Sequence, residues 1–471
     1  MKRPGWLPIF LAILTITVAL FSASVSAADT LNWNTNDNRV TADITSVPLI
    51  RLLEGVSQLT GWHVYVESNA TRNVSVKFKD LPPGQALRNL LGNLNFALVP
   101  QTNSRARLYV FISSQKNATL LLQPNDLNGN RSGSTNGIPD ELIVTLKAGI
   151  KPEQLACLLN AKVLGRIEGL DTYRLKFESD IAARSARLCL ANDPNVESID
   201  SNFSMNQPNP GQQLDANLAA DINLDLKKPS GDCDPIVAVL DTRGMESVAD
   251  NLKKFLLPTI STQDGSDGPA NNATVKGQEL THGLAMVNTV LRSVQNTTSG
   301  SSSVRILPVD VYGNHPTTTT FQIAQGIQRA VNSGANIVNL SLGSSGDSPF
   351  LHSLIQRASR QGVVFFGAAG NEPVTTPTYP AAYAEVIAVT AGDRAGQIAS
   401  YANRGNFVDI MTPGMSVVPF NGQSYLVNGT SAATAYASGI AAGLAGANSI
   451  CPPGVLAAMR GKLGVNLKAG N

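Results

Sequence analysis

Cysteine is scarce: Cys157, Cys189, Cys233 and Cys451 are the 4 present in a chain of 471 residues. None stands in a CxxC pair, which argues against a zinc ribbon or a thioredoxin-like redox site. Histidine is as sparse, at 4. With no HExxH and no ligand cluster, the sequence offers no metal site. The 36 basic residues nearly balance the 34 acidic ones. No dense Lys/Arg run breaks that balance, so a nucleic-acid partner is excluded. The apolar share of 43% is enough to bury real cores and excludes wholesale disorder. The length exceeds one ordinary domain and leaves room for about three.

The chain opens with Lys2 and Arg3, then an apolar stretch from Leu7 to Phe21, then the small residues Val25-Ser26-Ala27. That order predicts a secretory signal peptide over residues 1–27 and an exported protein in the periplasm, at the cell surface or outside the cell. The stretch is short for a membrane span and Pro8 interrupts its start. Export would place the cysteines in an oxidising compartment. Three pairings are open to four cysteines. Cys157–Cys189 with Cys233–Cys451 keeps each bond within one segment, and four buried thiols are the alternative.

Five segments follow the leader. Residues 45–113 carry a short mixed pattern. Leu49, Leu52 and Leu53 mark a helical face ending near Gly61; Val64, Val66, Val74, Val76 and Phe78 alternate as in strands; Ala86, Leu87, Leu90 and Leu91 mark a second helix. The run VSVKFKDLPPGQALRNLLGNLNFALV resembles the short periplasmic domain at the start of secretins and TonB-dependent outer-membrane receptors. That resemblance implies a partner in the outer envelope; a merely stabilising module is the other reading. Residues 114–138, rich in Asn, Ser and Gly, read as a linker. Residues 139–204 alternate strands (ELIVTLK, AKVLGRIE, TYRLKF, Val196–Ile199) with helices (Pro152–Leu159, Ile181–Leu190), the order of a small ferredoxin-like sandwich. Residues 205–231 form a second linker.

From residue 232 to 468, continuous apolar strands (PIVAVLD, VRILPVDV, NIVNLSLG, GVVFFGAAG, EVIAVTAG, FVDIMTPG) alternate with amphipathic helices. Such alternation predicts an α/β fold with a parallel sheet covered on both faces. Functional groups then gather at the carboxyl ends of the strands. Asp241, Ser341-Leu342-Gly343 and Gly370-Asn371 all close strands. His282 and Ser431 stand at predicted helix starts. His63 lies in the distant N-terminal segment; His315 and His352 have no motif around them and read as surface or loop residues.

The motifs AVLDTRG, THGLAMV, NIVNLSLG, FFGAAGNE and NGTSAATAYASG, in that order, resemble the subtilisin-like serine peptidases, or subtilases, over about half of the chain. Asp before His before Ser is that family's order. The resemblance implies a three-layer catalytic domain and hydrolysis of protein or peptide substrates. Ser431 would be the nucleophile, His282 the general base, Asp241 its orienting acid, and the Asn371 side chain with the Ser431 N–H the oxyanion donors. Ser341, Leu342, Gly343, Ala368, Ala369 and Gly370 would flank the pocket for the residue before the scissile bond. Gly313, within DVYGNH, would align the substrate as an added strand.

Residues 139–204 resemble the inhibitory propeptide of the same family, on the runs IPDELIVTLKAGI, AKVLGRIEGLDTYRLKF and LANDPNVESIDSNF. The chain's own propeptide would then act as an intramolecular inhibitor, released by self-cleavage near Ser204–Asp215. Catalysis would need no cofactor. Structural calcium is common in relatives, but no calcium site is readable here. Leu284, Ala435, Tyr436 and Arg243 depart from the family pattern around these residues. A cleft that binds peptides without cutting them is therefore the second reading.

Overall fold

The computed structural model describes residues 18–19, 29–34, 37–67, 69–100, 105–122, 136–153, 159–229, 231, 233–263 and 279–465. Most of the expected leader, residues 123–135 of the expected linker, residues 154–158 of the helix expected in the propeptide, and Cys157 with them, lie outside the described residues. The chain divides into two compact units, residues 1–132 and 133–471.

The first unit holds strands β1 (Thr30–Asn34) and β2 (Arg39–Pro48), helix α1 (Leu49–Thr60), strands β3 (His63–Glu67) and β4 (Asn73–Leu81), helix α2 (Pro83–Leu91), and strands β5 (Asn95–Val99), β6 (Arg107–Phe111) and β7 (Ala118–Leu122). One sheet runs β1-β2-β4, with Val18–Ala19 paired on the outer edge of β1; the other runs β5-β6-β3-β7. Leu49, Leu52, Leu53 and Val56 recur at helical spacing on α1 and bury with Leu87, Leu90 and Leu91 of α2 against Val64 and Val66. Gly61, at φ 71°, ends α1 through its N–H to the Ser57 carbonyl. No other residue takes that left-handed position as cheaply.

The second unit begins with strands β8 (Gly137–Leu146), β9 (Lys162–Ile167) and β10 (Thr172–Lys176), helix α3 (Asp180–Leu190) and strand β11 (Val196–Asn206). These form an antiparallel sheet ordered β9-β10-β8-β11. The order is that of a ferredoxin-like sandwich, as the sequence predicts. Strand β11 does not stop with this sheet. Its end, Ser204–Asn206, pairs antiparallel with Thr317–Thr319 of the following domain.

That domain contains β12 (Ile236–Asp241), β13 (Ile260–Ser261), α4 (His282–Thr297), β14 (Arg305–Asp310), β15 (Thr317–Thr319), α5 (Thr320–Asn332), β16 (Ile337–Leu340), α6 (Pro349–Arg360), β17 (Val364–Ala368), β18 (Val386–Gly392), β19 (Ile410–Pro413), β20 (Met415–Phe420), β21 (Gln423–Asn428) and α7 (Thr430–Asn448). A parallel sheet of seven strands runs β13-β14-β12-β16-β17-β18-β19. One core, with α4 and α7, covers one face; a second, with α5 and α6, covers the other. This is the subtilisin-like three-layer α/β fold. Strand order reverses on either side of β12, a switch point where such sheets place their sites.

Helices α5 and α6 start against the preceding sandwich. Asn202 accepts from the Phe321 N–H at 3.1 Å, and Asp200 accepts from the Ser348 hydroxyl at 2.6 Å and the Phe350 N–H at 2.9 Å. Each supplies an acceptor where a helix N-terminus exposes unpaired donors. Asn202 is held in turn by its amide on Glu141, which forms a two-pronged pair with Arg174. The residues read as a linker beyond 205 are also tied down. Gln212 and Gln213 pair with β21, and Ile222 and Leu224 are buried in the core beneath α4.

Candidate active site

Asp241 ends strand β12, which is otherwise apolar, and both it and His282 are almost wholly buried. Its two carboxylate oxygens lie 2.8 and 2.9 Å from His282 Nδ1, and Oδ1 also accepts from the Thr242 N–H at 2.7 Å. A carboxylate on Nδ1 fixes that nitrogen as the proton-bearing one and leaves Nε2 as the ring's acceptor. His282 is the first residue of α4, whose N-cap is the Thr281 hydroxyl. Gly283 donates to the Thr242 hydroxyl at 2.8 Å, and a side chain there would run into the Thr242 carbonyl and Met245. The glycine after the histidine is therefore a packing requirement: it lets α4 begin against the strand that bears Asp241.

Ser431 sits in the first turn of α7. Its hydroxyl donates to the Ser341 carbonyl at 3.1 Å, and the Ser341 hydroxyl donates back to the Ser431 carbonyl at 3.0 Å. Ser341 is held by the Asn339 amide at 2.9 Å, and Asn339 accepts from the Ser438 hydroxyl at 3.1 Å. Asn339, Ser341 and Ser438 are fully buried, so each partner is obligatory. Among the described residues the Ser431 hydroxyl makes no bond to the imidazole.

The helices carrying the two groups are close-packed. A Cβ on Gly439 would lie 2.5 Å from the Val290 carbonyl and from Ser293, and one on Gly443 2.7 Å from Thr297. The small-residue run from Gly439 to Gly446 thus seats α7 on α4, within the core of this domain. Asp241 ends β12 and Ser341 directly follows the neighbouring β16, since Val239 pairs with Asn339 two residues earlier. Adjacent strands stand about 4.8 Å apart. The acid, the imidazole and the alcohol therefore share one rim of the sheet.

Asn371 follows β17. Its Oδ1 accepts from the Thr430 N–H at 2.9 Å and the Thr430 hydroxyl at 3.2 Å, which leaves the Nδ2 group to donate elsewhere. Gly429, at φ 133°, turns the chain into α7, and its Cα faces that amide: a Cβ there would lie 3.1 Å from Asn371 Nδ2. Ser341, Leu342 and Gly343 run on from β16, and Ala368, Ala369 and Gly370 close the adjacent β17.

Gly313 lies in a turn at φ 58°, with its N–H on Asp310 at 2.7 Å, and among the described residues it pairs with no strand. The strand that β11 joins is β15. Nearby, the Tyr312 hydroxyl donates to the Asn206 carbonyl at 3.1 Å and the Gln207 N–H to the Pro316 carbonyl at 2.8 Å.

Burial, and then the nearby Asp241 charge, hold the Tyr312 phenol well above its usual range. Burial likewise raises Asp310 above an ordinary aspartate, against N–H bonds from Gly313 and Tyr312 and the charge of Arg243. Arg243, one of the departures from the family pattern, therefore acts on a buried acid. Leu284 and Ala435 are absorbed into the apolar core, and Tyr436 is half-buried with its carbonyl accepting from Ser293.

Cys233 and Cys451 form a disulfide that ties the approach to β12 to the exit of α7. Cys189 carries a free, exposed thiol, and its expected partner Cys157 lies outside the described residues. His352 is not a bare surface residue: it bonds Glu385 at 2.8 Å and stacks on Tyr383.

Sequence reasoning passes over Asn339, Ser438 and Thr430. One signal is available in hindsight, a lone amide in the apolar run Ile337–Leu340, where an unpaired polar group would be costly.

Residues 232–459 match the Subtilase family, and residues 129–202 match the Fervidolysin N-terminal prodomain. The Thermophilic serine proteinase of Bacillus sp. (strain AK1) is 30% identical over 334 residues, 66% of this chain and 80% of that protein. Subtilisin Savinase of Lederbergia lenta is 34% identical over 214 residues, 44% of this chain and 74% of that protein. The Thermostable alkaline protease of Halalkalibacterium halodurans is 37% identical over 142 residues, 30% of this chain, which spans only 39% of that protein. The covered shares of the first two, taken with the fold, are decisive: this chain belongs to the subtilase family of serine proteases.

Proposed function

We propose that the chain is an exported serine endopeptidase, made as a self-processing zymogen, that hydrolyses peptide bonds through Asp241, His282 and Ser431. The observation that carries this is the buried Asp241 carboxylate on His282 Nδ1, with Ser431 anchored at the neighbouring strand end. In the proposed cycle the Ser431 oxygen attacks the scissile carbonyl carbon while His282 Nε2 takes the hydroxyl proton. The oxyanion is received by Asn371 Nδ2 and the Ser431 N–H. Collapse breaks the C–N bond, and His282 returns the proton to the departing amine. Water, activated by the same imidazole, then cleaves the acyl ester.

The activation site is proposed between Asn206 and Gln212. On one side the chain is held by β15, on the other by β21, which leads into Ser431. Only five residues, Gln207–Gly211, lie between the paired ends. The segment beyond them, anchored by Ile222 and Leu224, would stay with the enzyme after the cut. The leader supports export, and the N-terminal unit, with a core of its own, is proposed to meet an envelope partner.

A second reading, peptide binding without hydrolysis, draws on the Ser431 hydroxyl bonded to Ser341 and on the altered residues Leu284, Ala435, Tyr436 and Arg243. Fluorophosphonate labelling with N-terminal sequencing decides. Labelling lost in Ser431→Ala, with a new terminus after residue 206, 207, 208, 209, 210 or 211, is the expected outcome. A folded, processed protein that does not label would establish the binding reading instead.

A further inference from the structure

We propose that Ser438 and Asn339 are positioning residues for the nucleophile: with Ser341 they fix the rotation of α7 on β16, and so the aim of Ser431. The proposal rests on the peptidase reading and deepens it, because both residues are closed to solvent and act through Ser341. Two periods set the arrangement. Asn339 and Ser341, two apart along extended chain, point to one side, and Ser431 and Ser438, seven apart, stand two helical turns apart on one face. The structure joins these pairs. Ser341 and Ser431 exchange bonds of 3.0 and 3.1 Å with each other's carbonyls, and the Ser438 hydroxyl donates to Asn339 Oδ1 at 3.1 Å. Asn339 Nδ2 donates to the Ser341 hydroxyl oxygen at 2.9 Å, which leaves the Ser341 proton for the Ser431 carbonyl. Ser438 Oγ also lies 2.9 Å from the Thr434 carbonyl. That carbonyl already takes a helical N–H, whereas Asn339 Oδ1 has no other donor among the described residues.

The rest of the helix offers little to grip. Ala432, Ala433, Ala435, Ala437, Ala441 and Ala442 of α7 are all buried in the core. Apolar attraction between methyl groups is non-directional, so it holds a helix near a sheet without fixing its rotation. On its other flanks α7 is tied by main chain alone, the Ala433 carbonyl to Thr412 of β19 and the Tyr436 carbonyl to Ser293 of α4. Toward β16 two side-chain tethers act together. The one at Ser431 fixes where the helix starts, and the one at Ser438 stops it turning about that point. Any turn would carry with it the Ser431 hydroxyl and the Ser431 N–H, the proposed oxyanion donor. Misplacing a reacting group by one ångström costs about 100-fold in rate.

The test is kcat and KM of the processed protein on a peptide p-nitroanilide, beside the melting temperature of each full-length variant carrying Ser431→Ala. Ser438→Ala leaves Asn339 Oδ1 buried without its donor, which lowers the melting temperature. The expected kinetic result is a kcat lower by about 10- to 100-fold with KM within about twofold of wild type. The double variant Ser438→Ala, Asn339→Leu removes both polar partners together, a change that can be nearly neutral for stability. Its melting temperature should recover while its kcat stays low. A kcat that follows the melting temperature, falling in the single variant and returning in the double, overturns the proposal, as does wild-type kcat in a folded Ser438→Ala. If the single variant does not fold, the double variant decides: kcat about tenfold down at unchanged KM supports the proposal, and wild-type kcat overturns it. These outcomes leave the peptidase reading intact. Absence of both hydrolysis and fluorophosphonate labelling in the wild-type protein overturns the two together.

Discussion

Both carboxylate oxygens of Asp241 face the single nitrogen Nδ1 of His282, at 2.8 and 2.9 Å, in a setting almost closed to solvent. An amide at position 241 would offer that nitrogen a competing donor and favour the tautomer with the proton on Nε2. Asp241→Asn should therefore lower kcat by about four orders of magnitude with little change in KM, the loss known for the same exchange in another serine-protease triad. Steady-state kinetics on a peptide anilide measure it. A kcat within tenfold of wild type would show that Asp241 does not orient the base.

The Asn371 amide is committed at one end and open at the other. Oδ1 receives Thr430, so substitution to alanine removes both the proposed oxyanion donor and a brace on the residue before Ser431. Asn371→Ala should cost about 100- to 1000-fold in kcat, the range measured for such a donor in a relative of this family. KM should hardly move, because the donor meets charge that exists only in the transition state. A loss confined to KM would assign Asn371 to ground-state binding.

The principal groups of the site are legible because each ends a run with a clear period. IVAVLD can only be a buried strand, and it stops at the one charged residue it contains. Ser431 heads a helix of small residues whose closeness to α4 is what Gly439 and Gly443 allow. The connection from Ser438 through Asn339 to Ser341 is not legible, because its bond from Ser438 to Asn339 joins residues 99 positions apart and leaves no period. The pairing of β11 with Thr317–Thr319 is hidden for a related reason: strand addition uses main-chain N–H and C=O groups, which every residue carries. The polar, proline-containing residues 205–231 read as a linker for the same reason, although much of their backbone is paired or packed against the enzyme.

Asp200 reaches across to the first turn of α6, where Ser348 already caps the helix. Asp200→Ala should leave α6 folded but loosen the preceding sandwich from the enzyme by about 0.5–2 kcal/mol, the worth of one capping acceptor. Hydrogen exchange in a full-length Ser431→Ala background would show faster exchange at the Phe350 amide while amides deeper in α6 keep their protection. Unchanged exchange at Phe350 would mean that Ser348 alone supplies the cap.

The last prediction concerns acid dependence. Burial raises the folded-state pKa of Asp310 above its ordinary 3.8, with Arg243 opposing and Glu246 reinforcing the shift. Below 3.8 the folded and unfolded chains both carry the proton, and the neutral acid keeps its bonds from Tyr312 and Gly313 at no ionisation cost. As pH rises through the raised folded value, the buried group must ionise, and the stability it contributed at acid pH is lost. An asparagine keeps an oxygen for the same two N–H donors and does not titrate. The melting temperature of Asp310→Asn minus that of the parent, both carrying Ser431→Ala to prevent self-digestion, should therefore climb with pH across this window and then level off. A difference that falls as pH rises would mean that the attraction of Arg243 for the charged form outweighs the cost of burying it.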